Sequence, residues 1–137
     1  MSYDRRVDGL RNDGSKGHVL VVDDAAFAAK HLTHMLTAAG YVVVDVAENG
    51  EDALRLYKEK SPDIDLVTLD ITMPKLDGIA TLEQLLALDK DAHVVMVTAS
   101  GKEELVRKAI LLGAKNYIVK PLQFNTIVPR IDAACRK

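Results

Sequence analysis

Five polar residues stand at the carboxyl ends of apolar, strand-like runs: Asp23, Asp24, Asp70, Thr98 and Lys120. If these strands are parallel neighbours, all five side chains meet at one edge of a sheet. At an effective dielectric constant of about 20 and a separation of about 4 Å, each pair of carboxylates repels by on the order of 4 kcal/mol. The acidic cluster therefore needs a cation or a raised pKa, and either one indicates a functional site.

The three carboxylates suit an oxygen-preferring divalent ion, and Mg²⁺ fits best because it takes a few carboxylates together with water and phosphate oxygens. The simpler alternatives are structural. Asp24 could cap the helix that follows it, and Asp70 could form an Asx-type turn with the residues after it.

Asp70 is also a candidate nucleophile, since a carboxylate can attack phosphorus and form an aspartyl phosphate. The charge of the transferred group must then be matched by cations and donors. Lys120 could pair with a phosphoryl oxygen, and the Thr98 hydroxyl could donate to one. Alternatively, Thr98 is an ordinary strand-terminal threonine and Lys120 a solvated strand end. Pro121 favours an extended conformation at Lys120 and makes a cis bond accessible.

Short apolar runs alternate with helical patterns after residue 17. The apolar runs predict strands over 18–22, from 41 onward, and over 66–69, 93–97 and 117–119. A helix is predicted over 25–39, ending at Gly40, and a fourth helix through Leu111 is predicted to end at Gly113. The predicted caps of the second, third and fourth helices are Asn49, Asp77 and a capping box of Ser100 with Glu103.

The strands are continuous β-branched runs with little alternation, as expected where helices cover both faces of a sheet. Five strands alternating with five helices imply right-handed crossovers and an α/β fold with a doubly wound parallel sheet. Ligands in such folds bind beyond the strand carboxyl ends where the strand order reverses, which is where the five polar residues fall.

The last helix is the least regular element of the pattern. Ile127, Val128 and Ile131 have helical spacing, but Pro129 lacks the amide hydrogen that an interior position requires. The helix then either begins near Val128, with Pro129 in its first turn, or bends at Pro129. We expect the late start.

The bulk composition limits the function classes. The chain has 137 residues, 48% hydrophobic and 28% charged, which fits one globular domain. A net charge of −2 lacks the basic excess that is typical of proteins that bind nucleic acid or an anionic membrane surface. The chain contains one cysteine, no apolar run long enough to span a bilayer and no signal-peptide pattern, so a cytoplasmic location is expected.

Residues 1–17 are polar and glycine-containing and predict a flexible arm before a domain over 18–137. Gly9 and Gly14 do not form a phosphate-binding loop, because no lysine follows the second glycine directly and no strand precedes it. His31 and His34 lie one helical turn apart, but no carboxylate pattern completes a metal site, so we interpret them as exposed histidines.

The order acidic pair, Asp, Thr, Lys at successive strand ends resembles the response-regulator receiver domain of two-component signalling. The matching segments cover about residues 18 to 135, and they are Val21-Val22-Asp23-Asp24, Leu69-Asp70-Ile71-Thr72-Met73-Pro74, Asp77-Gly78, Val97-Thr98-Ala99 and Tyr117-Ile118-Val119-Lys120-Pro121. The chain is most similar to stand-alone receivers, including the chemotaxis regulators, since no output domain follows Lys137.

The resemblance implies a flavodoxin-like sheet of order 2-1-3-4-5 and a switch rather than an enzyme acting on other molecules. Asp70 would accept a phosphoryl group from a histidine kinase or phosphotransfer protein, with Mg²⁺ held by the three aspartates and the Thr72 backbone carbonyl. Thr98 and Lys120 would bind the phosphoryl group, with Thr98 moving toward it, and Tyr117 would be the switch aromatic. A downstream protein would bind the fourth helix, fifth strand and fifth helix of a monomer.

Two other functions use similar residues. A haloacid-dehalogenase-type phosphatase also combines a nucleophilic Asp with Thr, Lys and metal-binding acids, but it carries a second Asp two residues after the nucleophile, where this chain has Thr72. A binding module with a vestigial acidic site is disfavoured because none of the five positions is substituted.

Overall fold

The computed structural model describes residues 16–73, 76–99 and 101–135. They form a five-stranded parallel sheet in the order β2-β1-β3-β4-β5. The strands are β1 His18–Val22, β2 Val42–Ala47, β3 Leu66–Asp70, β4 Val94–Thr98 and β5 Asn116–Val119. The helices are α1 Ala26–Ala38, α2 Gly50–Lys60, α3 Gly78–Leu88, α4 Glu103–Leu112 and α5 Phe124–Ala134, with a short 3₁₀ turn at Ser61–Asp63. The predicted fold class and strand order are confirmed.

The helices lie on both faces of the sheet, because successive strand residues point to opposite sides. One core layer contains Leu20, Val67, Leu69 and Met96 from the strands, packed against Ala53 and Leu56 of α2, Leu82 and Leu85 of α3, and Ala109 of α4. The opposite layer contains Val19, Val21, Leu66, Val95, Val97 and Ile118, packed against Leu32 and Leu36 of α1 and Ile127 and Ile131 of α5. This two-sided burial explains why the central strands lack hydrophobic alternation.

The strand order reverses between β1 and β3, which pair directly although β2 separates them in sequence. The register places Val22 beside Leu69, Asp70 beside Val97 and Thr98 beside Val119. The carboxyl ends of β1, β3, β4 and β5 therefore form one continuous edge, followed by the loops that carry the polar residues.

Two predicted helix caps are confirmed. The Asn49 side chain accepts the Asp52 amide hydrogen at 2.8 Å, and the Asp77 side chain accepts that of Ala80 at 2.9 Å. Gly113 ends α4 with a φ of 128°, a left-handed conformation that favours glycine.

Two other cap assignments differ from the structure. Asp24 does not cap α1, because the N-cap is Ala25, which makes no side-chain cap hydrogen bond. The capping box of α4 is wrong: the helix starts at Glu103 with Lys102 as N-cap, so Glu103 stands at the first helical position rather than the third. Ser100 itself, like Pro74 and Lys137, lies outside the described residues.

The predicted late start of α5 is also wrong. The helix begins at Phe124, and Pro129 stands inside it. Ile127 and Ile131 are fully buried in the core, and this burial outweighs the lost hydrogen bond. Pro129 is exposed, and so is Asn125, the residue four positions earlier whose carbonyl loses the amide donor that proline lacks.

Most of the expected N-terminal arm, residues 1–15 including Gly9 and Gly14, lies outside the described residues. Its last two residues contact the domain: the Lys16 ammonium is 3.4 Å from an Asp132 carboxylate oxygen, and the Gly17 carbonyl accepts the Val42 amide hydrogen at 3.1 Å. Within the described ranges, no helix is long and apolar enough to cross a membrane.

Candidate functional site

The structure brings Asp23, Asp24 and Asp70 together at the sheet edge. One carboxylate oxygen of each lies within 4.8 Å of the others. Asp23 and Asp70 are buried, whereas Asp24 is exposed. The cluster combines two fixed buried carboxylates with one that reaches solvent, and it opens beyond the strand ends.

Asp23 is held by two donors. Its Oδ1 accepts the Ala25 amide hydrogen at 2.9 Å, and its Oδ2 lies 3.4 Å from the Lys120 ammonium. The Lys120 backbone is fixed by an amide hydrogen bond to the Thr98 carbonyl at 2.8 Å and is followed by a cis bond to Pro121. The β5 end thus brings its cation to the carboxylate of the β1 end, across two intervening strands.

Asp70 has the most perturbed carboxyl group of the cluster. Burial, together with the negative charges of Asp23 and Asp24, raises the pKa of Asp70 to about 6, although Lys120 and the Thr72 amide act to lower it. The Thr72 N–H is 3.4 Å from Asp70 Oδ1, so the Asx-type contact exists within the cluster. The structural alternative for Asp70 is thus observed, and its role as a nucleophile stays a prediction.

The charges of the site do not balance internally. Three carboxylates face one ammonium group, Lys120, which leaves an excess of two negative charges when all are ionised. Hard oxygen ligands with this excess suit a divalent cation. The raised pKa of Asp70 is consistent with this excess, because protonation of its carboxyl removes one negative charge from the cluster.

Thr98 lies at the β4 end and is 2% exposed. Its hydroxyl donates to the Ala99 carbonyl at 2.9 Å. The hydroxyl is therefore engaged with its own loop and must leave this bond to reach another acceptor.

Gly78 packs directly against the backbone of Asp70 and Ile71. The sequence analysis assigned no packing role to this residue. A Cβ atom at this position would lie 2.3 Å from the Asp70 carbonyl oxygen and 2.6 Å from the Ile71 Cα. The Gly78 amide also donates to the Ile71 carbonyl at 2.9 Å. The sequence shows a glycine directly after the Asp77 cap. The reason for this glycine is visible only in the structure, where α3 approaches the end of β3 too closely for a Cβ atom.

A cavity of about 280 Å³ lies between the β4 and β5 ends and α4, lined by residues that include Thr98, Val106, Arg107 and Tyr117. The Tyr117 ring is half-buried, and the Arg130 guanidinium carbon lies 4.7 Å from its centroid. The sequence singled out Tyr117 but not Arg130, because nothing in the pattern links positions 13 residues apart on β5 and α5.

His31 and His34 are both exposed, as interpreted from the sequence. The His31 ring packs near Phe27 at a centroid distance of 6.3 Å. Among the described residues, the side chains placed to hold a metal ion together are those of Asp23, Asp24 and Asp70, and neither histidine belongs to this group.

The family model for the response regulator receiver domain matches residues 19–132, which contain every residue of the site. This chain belongs to the response regulator receiver domain family. The match also excludes the haloacid-dehalogenase alternative, whose motif order the chain lacks.

Two relatives are similar to more than four fifths of the chain. The chemotaxis protein CheY of Treponema pallidum is 54% identical over 133 residues, covering 97% of this chain and 92% of that protein. The CheY of Bacillus subtilis is 45% identical over 114 residues, with coverages of 83% and 93%. The protein is thus a homologue of the single-domain response regulators of chemotaxis.

Solved structures agree with this assignment. CheY in the CheX–CheY–BeF₃–Mg²⁺ complex of Borrelia burgdorferi has a TM-score of 0.88 and 45% identity, covering 94% of this chain and 97% of that one. The receiver domain of NtrX from Brucella abortus has a TM-score of 0.80 and 28% identity, with coverages of 85% and 97%.

Proposed function

We propose that this receiver domain is a phosphorylation switch in which Asp70 accepts a phosphoryl group and the added charge changes the affinity for a partner protein. The observation that carries the proposal is the acidic cluster: three carboxylates within 4.8 Å, one of them buried with a pKa raised to about 6, and Lys120 beside them. No structural role requires this costly arrangement of like charges.

The cluster fits Mg²⁺ through its hard oxygen donors and its excess negative charge. Asp23, Asp24 and Asp70 would hold the ion, with the backbone carbonyl of Thr72 as a further ligand. When bound, Mg²⁺ supplies charge neutralisation for the carboxylates and for the phosphoryl oxygens.

The phosphoryl group would come from a phosphohistidine of a histidine kinase or of a phosphotransfer protein. An Asp70 carboxylate oxygen forms the new bond to phosphorus while the histidine N–P bond breaks and its electron pair returns to the imidazole nitrogen. Hydrolysis later forms a water O–P bond, breaks the Asp70 O–P bond and releases inorganic phosphate. These reactions of its own side chain are the chemistry we assign to the protein, which is a switch rather than an enzyme acting on other substrates.

Two side chains would respond to the phosphoryl group. The Lys120 ammonium would move from Asp23 to pair with a phosphoryl oxygen. The Thr98 hydroxyl would exchange the Ala99 carbonyl for another phosphoryl oxygen, which draws the end of β4 inward. Tyr117, which lines the same cavity as Thr98, would then change position and transmit the event to the surface.

That surface consists of α4, β5 and α5, which we call the partner surface. It exposes Leu105, Val119 and Phe124, whose exposed fractions are 37%, 42% and 41%. A structural relative, CheY of Borrelia burgdorferi, forms a complex with CheX. We infer a protein partner here too, either a chemotaxis component or the next protein of a phosphorelay.

We also propose that the protein is a monomer that works in the cytoplasm. Its net charge of −2 favours protein partners over nucleic acid or an anionic membrane surface. The division of the chain into an N-terminal arm over 1–17 and a receiver domain over 18–137 remains part of this proposal.

The proposal is tested by phosphorylation with acetyl phosphate and Mg²⁺. We expect one phosphoryl group per chain, stable in acid and labile in base, as an acyl phosphate is. Asp70→Asn should abolish the labelling, which intact-mass spectrometry measures directly.

Asp63→Asn is the matched control, because it removes an exposed aspartate outside the cluster. It should label like the unmodified protein. Undiminished labelling of Asp70→Asn would reject Asp70 as the acceptor.

A further inference from the structure

Arg130 lies against the Tyr117 ring while it is bound to the strand that carries the ring. Its guanidinium carbon is 4.7 Å from the ring centroid. One guanidinium nitrogen donates to the Tyr117 carbonyl oxygen at 2.9 Å and to the Asn116 side-chain oxygen at 3.2 Å. The hydrogen bonds hold the cation to the β5 backbone, and the ring contact adds a cation–π interaction.

The position of Arg130 is fixed from α5 as well. Ile127 and Ile131, on the same helix, are both fully buried in the core. The base of the Arg130 side chain therefore stays in place while its head is held by β5. Neither anchor involves the Tyr117 ring, so the guanidinium does not follow the ring if the ring turns.

A cavity beside the Tyr117 ring offers space for a second ring position. The cavity of about 280 Å³ is lined by Tyr117 together with Thr98 and Val106. Any turn of the ring into this cavity takes it away from a cation held on the α5 side. The contact with Arg130 thus stabilises one of two ring positions.

We propose that Arg130 is the positioning residue of the Tyr117 switch: it holds the ring against α5, outside the cavity beside Thr98, and so opposes a turn of the ring into that cavity on phosphorylation. This inference rests on the proposed function, because it assigns a regulator to the same switch. The partner surface then has two states. The phosphoryl group at Asp70 favours the turned ring, and the Arg130 cation on α5 favours the present ring position.

The size of the effect follows from linkage. A ligand that favours the turned ring must overcome the contact that favours the present ring position. A cation–π contact at a partly exposed site is worth about 0.5–1 kcal/mol, and this corresponds to about a two- to fivefold change in ligand affinity. Removal of the guanidinium should therefore tighten the binding of a phosphoryl mimic by that factor.

The test uses the full chain with 3-fluorotyrosine and ¹⁹F NMR, and beryllofluoride with Mg²⁺ as the phosphoryl mimic. Tyr117→Phe assigns the Tyr117 resonance by its disappearance. In Arg130→Met, we expect this resonance to lie closer to its ligand-saturated position before ligand is added. We also expect about two- to fivefold tighter binding of beryllofluoride than in the unmodified protein.

Arg130→Lys keeps the positive charge but loses the planar group, so it should show a smaller change in the same direction. Arg55→Met removes an equivalent charge from an exposed position on α2, where Arg55 pairs with Asp52 and Glu59, and should change neither quantity. A merely destabilised variant would bind the mimic more weakly, so tighter binding separates the proposal from a structural role.

Unchanged or weaker beryllofluoride binding by Arg130→Met, or an unmoved Tyr117 resonance, would overturn the inference. A failure of the proposed function gives a different result, namely no beryllofluoride response in the unmodified protein. The Tyr117 resonance of the unliganded variants would still test the Arg130 contact in that case.

Discussion

Asp70 is the residue of the acidic cluster whose ionisation lowers the stability of the folded state. Its folded-state pKa of about 6 exceeds the ordinary value of 3.8, so the folded state binds more protons than the unfolded state between these pH values. Stability therefore falls as pH rises from about 4 to 6 and stays reduced above that range. The penalty at neutral pH without a divalent cation is on the order of 3 kcal/mol.

Asp70→Asn should consequently raise the free energy of unfolding at pH 7.5 in the absence of divalent cations. We expect a gain of about 1–3 kcal/mol, since the amide removes a buried charge but keeps the shape. Urea denaturation in EDTA measures it. Asp63→Asn should stay within about 0.5 kcal/mol of the unmodified protein.

If Asp70→Asn shows no gain at pH 7.5, the three carboxylates do not repel one another in solution as the structure implies. The same variant at pH 4 provides an internal check. There the unmodified Asp70 is protonated, and the difference between the two proteins should nearly vanish.

At the scale of single elements, Gly78 allows the start of α3 to pack closely against the end of β3. Gly78→Ala places a Cβ atom 2.3 Å from the Asp70 carbonyl oxygen, so α3 or the β3 end must shift. We expect a loss of about 2–4 kcal/mol in the free energy of unfolding, as for overpacking against backbone, together with slower phosphorylation by acetyl phosphate.

Gly101→Ala is the comparison for this substitution. Gly101 has a φ of 88° but nothing within 4 Å of an added Cβ, so only backbone strain of about 1–2 kcal/mol is expected. Equal costs for the two alanine variants would contradict the close packing described at Gly78.

Replacement of Pro129 in α5 should increase stability, in contrast to the two glycine substitutions. Pro129→Ala restores an amide donor inside the helix, and proline costs about 3 kcal/mol relative to alanine at such a position. Part of this is offset because proline also restricts the unfolded chain, by up to about 1 kcal/mol. We therefore expect a net stabilisation of about 2 kcal/mol in urea denaturation.

Asn125→Ala, at another exposed α5 position, should change the free energy of unfolding by at most a few tenths of a kcal/mol. A loss of stability in Pro129→Ala would mean that the proline ring makes contacts that outweigh the missing hydrogen bond.

At the scale of the whole molecule, occupancy of the acidic cluster should be coupled to global stability. A ligand that binds only the folded state at 100 times its dissociation constant adds about 2.7 kcal/mol. We expect Mg²⁺ to raise the midpoint of thermal unfolding more at pH 8 than at pH 5. Protonation of Asp70 below its pKa of about 6 removes a ligand charge at the lower pH.

Thermal unfolding followed by circular dichroism, with and without Mg²⁺ at each pH, measures this coupling. The double substitution Asp23→Asn and Asp24→Asn should remove the gain at both pH values. A Mg²⁺ effect of equal size at pH 5 and pH 8 would exclude Asp70 from the binding site.

The sequence by itself determined the fold and the candidate site, because both depend on local patterns. Continuous β-branched runs predicted buried parallel strands, and polar residues directly after them had to meet at one sheet edge. The confirmed caps at Asn49 and Asp77 are likewise local, since the donor and the acceptor lie within one turn.

Only the tertiary structure decided the features that depend on contacts between distant elements. Local rules predicted that α5 would start late, but the burial of Ile127 and Ile131 against the sheet outweighs the cost of Pro129. Gly78 needs the approach of α3 to β3, and Arg130 meets Tyr117 because α5 packs on β5. Packing energies of this kind sum over residues far apart in the chain, so no local pattern contains them.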